Sequence, residues 1–182
     1  MPASPSSDIT LRAATGSDAL CIGVLATQVF LDTYATDGVR PAIAREVLGY
    51  FSPAAVSVLL SDPDTRFIVA ERAGHMIGFA QLTLGAAHGL VSARPAVELH
   101  RLYVQERSAG SGVGTALLGE AETLAAASGA LALWLTVWAG NPRALAFYAR
   151  RGYGELGVAS YVFENDEYET RIFAKLLSAD RL

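Results

Sequence analysis

The chain of 182 residues has few of the features that mark secreted, membrane-spanning or nucleic-acid-binding proteins. Its one cysteine, Cys21, excludes an internal disulfide, so the sequence gives no sign of an oxidising compartment. Charged residues make up only 18% of the chain and the formal net charge is -4, which argues against a nucleic-acid partner. The longest apolar run, residues 130–139, is too short to span a bilayer.

Signals for export and for metal binding are also missing. Residues 1–8 contain neither the basic nor the apolar region of a secretory signal peptide, and we expect a flexible tail there. The histidines His75, His88 and His100 are scattered, so we expect no metal. A hydrophobic share of 52% is typical of a globular chain. We therefore expect a cytoplasmic protein with a single domain over residues 1–182 and no membrane partner.

What the sequence does contain is a glycine turn at residues 102–118, LYVQERSAGSGVGTALL. An apolar strand end precedes the turn, Gly110, Gly112 and Gly114 occupy alternate positions, and a helix-like run follows. The first backbone N–H groups of a helix lack internal partners and carry partial positive charge, while glycines let the backbone approach a phosphate closely. The pattern predicts a site for a phosphorylated small molecule; the alternative is a flexible turn that only caps the helix.

Two common phosphate-binding motifs are excluded by the letters themselves. A P-loop requires a Gly-Lys pair, and the sequence has none. A dinucleotide fingerprint G-x-G-x-x-G requires a third glycine, but that place falls on Thr115 or Leu117, depending on which glycine begins the motif.

Hydrophobic periodicity predicts an α/β domain. The predicted helices cover residues 19–34, 41–50, 53–61, 112–128 and a segment from Asn141 to near Gly152. The predicted strands cover residues 9–13, 65–72, 75–84, 96–104, 131–138, 156–163 and 168–177, the last two joined through Glu164, Asn165 and Asp166. This order predicts three layers, α/β/α, around a mixed, mostly antiparallel central sheet.

The glycine turn resembles the acyl-CoA pyrophosphate loop of the GCN5-related N-acetyltransferases (GNAT), whose signature is Q/R-x-x-G-x-G/A. Gly112 and Gly114 fill its last two places, but Ala109 stands where the family has Arg or Gln. Arg107, two residues earlier, is a candidate replacement for that side chain.

A second family signature, N-x-x-A-x-x-F-Y-x-x-x-G-F/Y, is filled at every defined place, by Asn141, Ala144, Phe147, Tyr148, Gly152 and Tyr153. The segment LWLTVWAGNPRALAFYARRGY is similar to the PaiA-like spermidine/spermine acetyltransferase branch. The segments FLDTYA and VFENDEYETRIFAKLL resemble that branch less closely.

The resemblance implies transfer of an acetyl group from acetyl-CoA to a primary amine of a small molecule, a polyamine being one candidate, by direct attack in a ternary complex. The family's coenzyme contacts would fall on Leu102, Tyr103, Val104, Ala109, Gly110, Ser111, Gly112, Val113, Gly114, Thr115, Asn141 and Tyr148. Strand backbone would pair with the coenzyme's amide-rich arm and polarise the thioester carbonyl.

The resemblance also implies two catalytic residues. Tyr148 is the candidate general acid, since a phenol with a pKa near ~10 can protonate a leaving thiolate as its charge develops. Glu98 is the candidate base, six residues before Val104 on one strand face if no bulge intervenes; His100 is a second possibility. The alternatives are a packing role for Tyr148, a solvated strand-end Glu98, and a helix cap as the only role of Asn141.

The acceptor pocket is expected near the first helices, where Phe30, Tyr34, Glu46 and Tyr161 could line it. Acidic residues there would favour a polyamine, although Asp32, Asp37 and Glu46 are equally consistent with solvated surface charges. Two other functions stay open: a non-catalytic acyl-CoA sensor, which the departure at Ala109 supports, and acetylation of a protein or peptide amine. A homodimer is left open as well.

Overall fold

The computed structural model describes residues 8–163 and 166–177. The helices are α1 (Ala19–Tyr34), α2 (Pro41–Tyr50), α3 (Pro53–Ser61), α4 (Val113–Ala127) and α5 (Pro142–Ala149). The strands are β1 (Thr10–Ala13), β2 (Thr65–Arg72), β3 (His75–Leu84), β4 (Ala96–Val104), β5 (Ala132–Trp138), β6 (Gly154–Phe163) and β7 (Asp166–Leu176). Short 3-10 turns lie at Gly16–Asp18 and Glu106–Ser108. Each predicted helix and strand is present, with small displacements at its ends.

The seven strands follow the order β1-β2-β3-β4-β5-β7-β6. β4 and β5 are parallel, whereas the pairs β1–β2, β5–β7 and β6–β7 are antiparallel. This confirms the predicted α/β class with a mixed sheet. Contacts between Cα atoms divide the chain into two compact units. The first contains Met1–Gln81 and Arg101–Ala121, the second Leu82–His100 and Glu122–Leu182. The expectation of a single domain stays a prediction.

The first unit is built around an apolar cluster that α1 shares with α2, α3, β2 and β3. Ile22 and Leu25 of α1 lie three positions apart, at helical spacing, whereas Phe67 and Val69 of β2 lie two apart, at strand spacing. All four side chains are at least 94% buried. Each burial of this kind contributes about 1.5–3 kcal/mol, which anchors the helices on the strands.

The start of α1 is stabilised by the side chain of Asp18, which is buried. Arg12 of β1 donates to it through both terminal nitrogens, Nη1 to Oδ2 and Nη2 to Oδ1, each at 2.8 Å. The backbone N–H of Thr15 donates to Oδ2 at 2.7 Å. Arg12 also donates to Glu71 of β2, at 2.6 Å. The Arg12 guanidinium, aided by Thr15, holds the pKa of Asp18 well below its usual range although burial opposes this.

We expect Asp18→Asn to lower the free energy of unfolding by about 2 kcal/mol at pH 7, since it removes charge-assisted hydrogen bonds. The folded pKa of Asp18 is depressed, so its contribution is complete above the unfolded pKa of about 3.9 and is lost as the pH falls below it. The difference between wild type and variant, measured by urea unfolding, should therefore be smaller at pH 3 than at pH 7. Asp64→Asn, at an exposed position, is the control. An equal difference at both pH values would contradict this account.

The second unit is organised around β5, which is almost entirely apolar. Leu133 and Leu135 on one face and Ala132 on the other are at most 1% exposed, as predicted for a central strand covered on both sides. The ladder with β7 runs along all of β5, from Ala132 opposite Leu176 to Trp138 opposite Thr170. The ladder with β4 is shorter, from Ala96 opposite Ala132 to Glu98 opposite Trp134.

β6 and β7 begin earlier than the alternation predicts. Gly154 pairs with Ala174 of β7. Because β7 is long enough to pair with it, Gly154 belongs to β6, although the sequence pattern assigns it to a loop. Of the predicted connecting turn, Glu164 and Asn165 lie outside the described residues, as do residues 1–7 of the predicted tail.

In the described part of the chain, no single helix is long and apolar enough to cross a membrane. One bent pair, α2 with α3 at 44°, meets that test on length and composition only.

Candidate functional site

The glycine turn of the first unit leads from β4 into α4. After the 3-10 turn Glu106–Ser108, Gly110 and Gly112 adopt φ values of 75° and 89°, in the left-handed region that favours glycine. A Cβ added at either glycine would meet no atom within 4 Å, so conformation and not crowding requires glycine here. The carbonyl of Gly112 accepts the N–H of Ala116 at 2.9 Å, which begins the helical bonding pattern. The first N–H groups of α4 therefore follow directly on the turn.

An arginine from another strand contacts this turn. The Nη2 of Arg72, the last residue of β2, donates to the hydroxyl of Ser111 at 3.2 Å. That hydroxyl donates to the carbonyl of Ser108 at 2.7 Å. The Nε of Arg72 is buried and has no hydrogen-bond partner among the described residues. Arg107, the replacement considered from sequence, is exposed. Arg72 is thus the arginine that contacts the turn, and only the pairing of distant segments reveals it.

The strand leading into the turn lies close to β3. The backbone carbonyl of Ile77 accepts the N–H of Gln105 at 3.0 Å. A Cβ at Gly78 would lie 2.8 Å from the carbonyl oxygen of Tyr103, so glycine permits this close approach. Leu102, Tyr103 and Val104 are each half-buried.

Glu98 and His100 lie in the second unit, near the start of β4. Their side chains share one face of the strand, as the two-residue spacing predicts, with Glu98 Oε1 3.5 Å from His100 Nδ1. Glu98 is the better covered, with 23% of its side chain exposed against 42% for His100. Glu98 is also the last β4 residue in register with β5, opposite Trp134.

The second signature forms α5 and the turn after it. Asn141 caps the helix, its side-chain oxygen accepting the N–H of Ala144 at 3.0 Å, and Pro142 occupies the first turn. Tyr148 is 8% exposed and packs edge-on against Phe147 and Tyr153, with ring centroids 5.1 and 5.7 Å away. The cap and the packing considered as alternatives are thus both present. The roles of Asn141 and Tyr148 toward a coenzyme stay predictions.

A polar network that sequence reasoning missed fixes the end of this signature. The Tyr153 hydroxyl donates to Glu122 Oε1 at 3.1 Å, and Lys175 Nζ donates to both Glu122 oxygens, at 2.8 and 3.0 Å. Burial, with the Glu122 charge, strongly raises the pKa of the Tyr153 phenol, so it stays protonated and donating. Because Tyr153 contacts Tyr148, this network restrains the ring of the candidate acid.

Three of the four predicted acceptor residues lie in the first unit. Phe30 contacts Tyr34 at 4.7 Å between ring centroids and Phe51 at 5.5 Å. Glu46 is half-buried on α2, and its pKa is raised by burial against the opposing effect of Arg101. Tyr161 belongs to the second unit, where it stacks on Phe163.

Two further expectations concern the acidic residues near the first helices and metal binding. Asp32 and Asp37 are exposed, in agreement with the interpretation as solvated charges. Within residues 8–163 and 166–177, no group of three or more His, Cys, Asp or Glu side chains could hold a metal ion.

Comparison with known proteins identifies the family. The sequence matches the acetyltransferase (GNAT) family over residues 33–153. An uncharacterised N-acetyltransferase of Mycobacterium bovis is 32% identical over 126 residues, which cover 66% of this chain and 76% of that protein. The IAA acetyltransferase of Azospirillum brasilense is 31% identical over 98 residues, 54% of this chain and 60% of that protein. The chain belongs to the acetyltransferase (GNAT) family, which confirms the resemblance and the expectation of an acetyltransferase.

Solved structures agree on the fold. The PaiA N-acetyltransferase from Thermoplasma acidophilum, in complex with coenzyme A, has a TM-score of 0.74 at 22% identity and covers 93% of this chain and 99% of that chain. The yncA structure from Salmonella typhimurium, with its cofactor acetyl-CoA, has a TM-score of 0.67 at 19% identity and covers 96% of both chains. At these identities the likeness concerns the fold, and the PaiA-like branch stays a prediction.

Proposed function

We propose that this protein moves the acetyl group of acetyl-CoA to the primary amine of a small molecule, both substrates being bound at once. The observation that carries the proposal is the turn at Gly110 and Gly112, whose two left-handed glycines lead into the first N–H groups of α4 in a chain of the GNAT family. Such a turn suits a diphosphate, because unpaired N–H groups and the helix dipole both attract negative charge.

The residues of the turn fit the diphosphate of acetyl-CoA. The open space above Gly110 and Gly112 leaves the backbone accessible, and Val113 and Gly114 are the first residues of α4. Ala109, Ser111 and Thr115 flank these positions and complete the predicted contact set. The side chain of Arg72 adds a positive charge. Its buried Nε has no hydrogen-bond partner in the described part of the chain.

The arm of the coenzyme would pair with strand backbone. Leu102, Tyr103 and Val104 are proposed to supply backbone N–H and C=O groups to its amides, as a neighbouring strand would. One of those N–H groups would also polarise the thioester carbonyl, the role of an oxyanion-hole donor. Asn141 is proposed to contact the same arm besides capping α5.

Arg72→Gln should raise the KM for acetyl-CoA about tenfold, because a hydrogen bond to a charged group contributes about 1.5–3 kcal/mol. The value of kcat should change little, since Arg72 is proposed to bind the diphosphate and not the reacting atoms. Initial rates over a range of acetyl-CoA concentrations measure both parameters. Arg107→Gln removes the same charge from an exposed position and should change the KM by less than about twofold. A larger effect at Arg107 than at Arg72 would contradict the assignment.

Acetyl-CoA supplies an acetyl thioester whose carbonyl carbon bonds to the amine nitrogen while the C–S bond breaks and the sulfur leaves with the bonding electrons. Tyr148 is proposed to donate a proton to that sulfur, so that the free thiol of CoA is the product. Its ring is held by Phe147 and Tyr153, which limits the directions in which the hydroxyl can point. Tyr148 and Asn141 therefore combine a packing or capping role with the proposed contact.

Glu98 is proposed to take the proton that the acceptor ammonium must lose, directly or through water. Its partial burial beside His100 is consistent with this role, and His100 stays the second candidate. The ammonium loses two protons on the way to the amide. One passes to the base before attack and is then released to solvent, and the second, lost from the nitrogen as the amide forms, restores the proton that Tyr148 gives to the sulfur.

An acyl-CoA sensor would bind the coenzyme without turnover. The decisive experiment therefore measures both the binding of acetyl-CoA and its turnover. Purified protein is titrated with acetyl-CoA by calorimetry, and thiol release is then followed with polyamines, amino acids and peptides as acceptors. The proposal predicts binding, together with thiol and N-acetylated amine in equal amounts. Binding without thiol release would favour the sensor, and acetylation of peptides alone would favour a protein substrate. A cytoplasmic location and a homodimer stay predictions.

A further inference from the structure

One cluster of polar and aromatic side chains in the first unit has no part in coenzyme binding as proposed. We call it the Arg101 cluster, and its members lie on α1, on α2 and the residue after it, and on strands β3 and β4. They are Phe30, Tyr34, Glu46, Phe51, Gln81, Arg101 and Tyr103. Only the backbone of Tyr103 takes part in the proposed coenzyme site.

Arg101 is held in place by neutral groups. Its Nη1 donates to Gln81 Oε1 at 2.7 Å, and Gln81 is only 4% exposed. Its guanidinium carbon lies 5.2 Å from the ring centroid of Phe51. The Tyr103 side chain lies two residues further on the same face of β4, and Arg101 opposes the burial that raises the pKa of the Tyr103 phenol.

Two other arginines of the chain are paired with carboxylates. Arg12 contacts Asp18 and Glu71, and Arg171 contacts Glu155 and Glu169. Arg101, by contrast, makes no ion pair with any residue in the described part of the chain. A half-buried guanidinium fixed by neutral partners keeps its charge and several N–H donors for a planar anion such as a carboxylate.

The cluster also contains one acidic group. Glu46 is half-buried on α2, and the charge of Arg101 opposes the burial that raises the pKa of the Glu46 carboxyl. The rings of Phe30, Tyr34 and Phe51 form an apolar wall beside them. Tyr34 is 41% exposed, so one side of this wall is accessible from solvent.

We propose that the acceptor amine also carries a carboxylate, as an amino acid with an aromatic or large apolar side chain does. Arg101 binds the carboxylate, Glu46 attracts the ammonium, and the aromatic wall contacts the side chain. The inference rests on the proposed function and names its substrate class. A polyamine has no anionic group, so it would leave Arg101 unpaired and would meet a like charge there.

The test compares acceptors that differ only in the carboxylate. Rates are measured with phenylalanine, phenylalanine amide and spermidine, for wild type, Arg101→Gln and Arg101→Lys. The wild type should prefer phenylalanine to the amide by at least about tenfold in kcat/KM. Arg101→Gln should remove that preference while it leaves the rate with the amide within about twofold, and Arg101→Lys should retain part of it. Arg66→Gln, which removes a positive charge from an exposed position, should leave the preference unchanged.

Binding provides a readout that does not depend on turnover. Calorimetry should show N-acetylphenylalanine, which keeps the carboxylate, binding more tightly to the wild type than its amide does, and Arg101→Gln should abolish the difference. A wild type that prefers spermidine, or a preference for the carboxylate that survives in Arg101→Gln, would overturn the inference. A wild type that binds acetyl-CoA but acetylates no amine of the panel overturns the acceptor class as well. Failure to bind acetyl-CoA would instead overturn the proposed function.

Discussion

Gly112→Asp should weaken acetyl-CoA binding by at least about a hundredfold. The new carboxylate would stand at the start of α4, where the diphosphate is proposed to bind. Like charges about 4 Å apart repel by about 4 kcal/mol near a protein surface, which corresponds to more than two decades in Kd. Asp is among the side chains that best tolerate the left-handed conformation of Gly112 and is a favoured helix cap, so the fold should persist. Calorimetric titration measures the change.

The matched control for this prediction is Gly129→Asp. Gly129 has a φ of 85°, close to the 89° of Gly112, and a Cβ there would also meet no atom within 4 Å. The conformational strain of the two substitutions is therefore similar, but Gly129 follows the end of α4 and not its start. Gly129→Asp should bind acetyl-CoA as the wild type does. If both variants bind equally well, the diphosphate does not lie at the glycine turn.

Tyr148→Phe should lower kcat by about a hundredfold, the lower end of the range for loss of a general acid. The KM for acetyl-CoA should stay within about twofold, because the contact between the hydroxyl and the sulfur is proposed to strengthen only as the sulfur departs. Phenylalanine keeps the ring that packs against Phe147 and Tyr153, so the melting temperature should change by only a few degrees. Steady-state kinetics and thermal unfolding are measured on the same preparation.

Tyr50→Phe is the control for Tyr148→Phe, since Tyr50 is exposed at the end of α2 and has no proposed role. It should leave kcat unchanged. A Tyr148→Phe enzyme with the kcat of the wild type would remove the phenol from the mechanism and leave Tyr148 with its packing role alone.

Local signals in the sequence predicted most of the fold. Pro41 and Pro53 mark the starts of α2 and α3, and Asn141 followed by Pro142 marks the start of α5, because proline is tolerated and asparagine caps at these positions. The bounds of β6 and β7 depend on each other, since an extra residue of one strand needs a partner on the other. Alternation within a single segment therefore underestimated both strands.

The polar contacts between distant segments could not be predicted. Arg72 reaches Ser111 across 39 positions of sequence, and Arg101 reaches Gln81 across 20. Neither pair has a characteristic spacing, because strand order decides which side chains meet. The family signature drew attention to the departure at Ala109 but did not indicate that Arg72 contacts the turn. The glycine turn, by contrast, is a local feature, and its conformation agrees with the prediction.

The most direct test of the account is a balance of products. Acetyl-CoA is incubated with wild-type protein and an excess of an amine from the acceptor panel, while free thiol is measured by colorimetry and N-acetylated amine by mass spectrometry. The account predicts thiol and acetylated amine in equal amounts, at a rate far above the reaction without protein and strongly reduced in Tyr148→Phe. Wild-type protein that binds acetyl-CoA but releases thiol no faster than buffer, whatever amine is supplied, would contradict it.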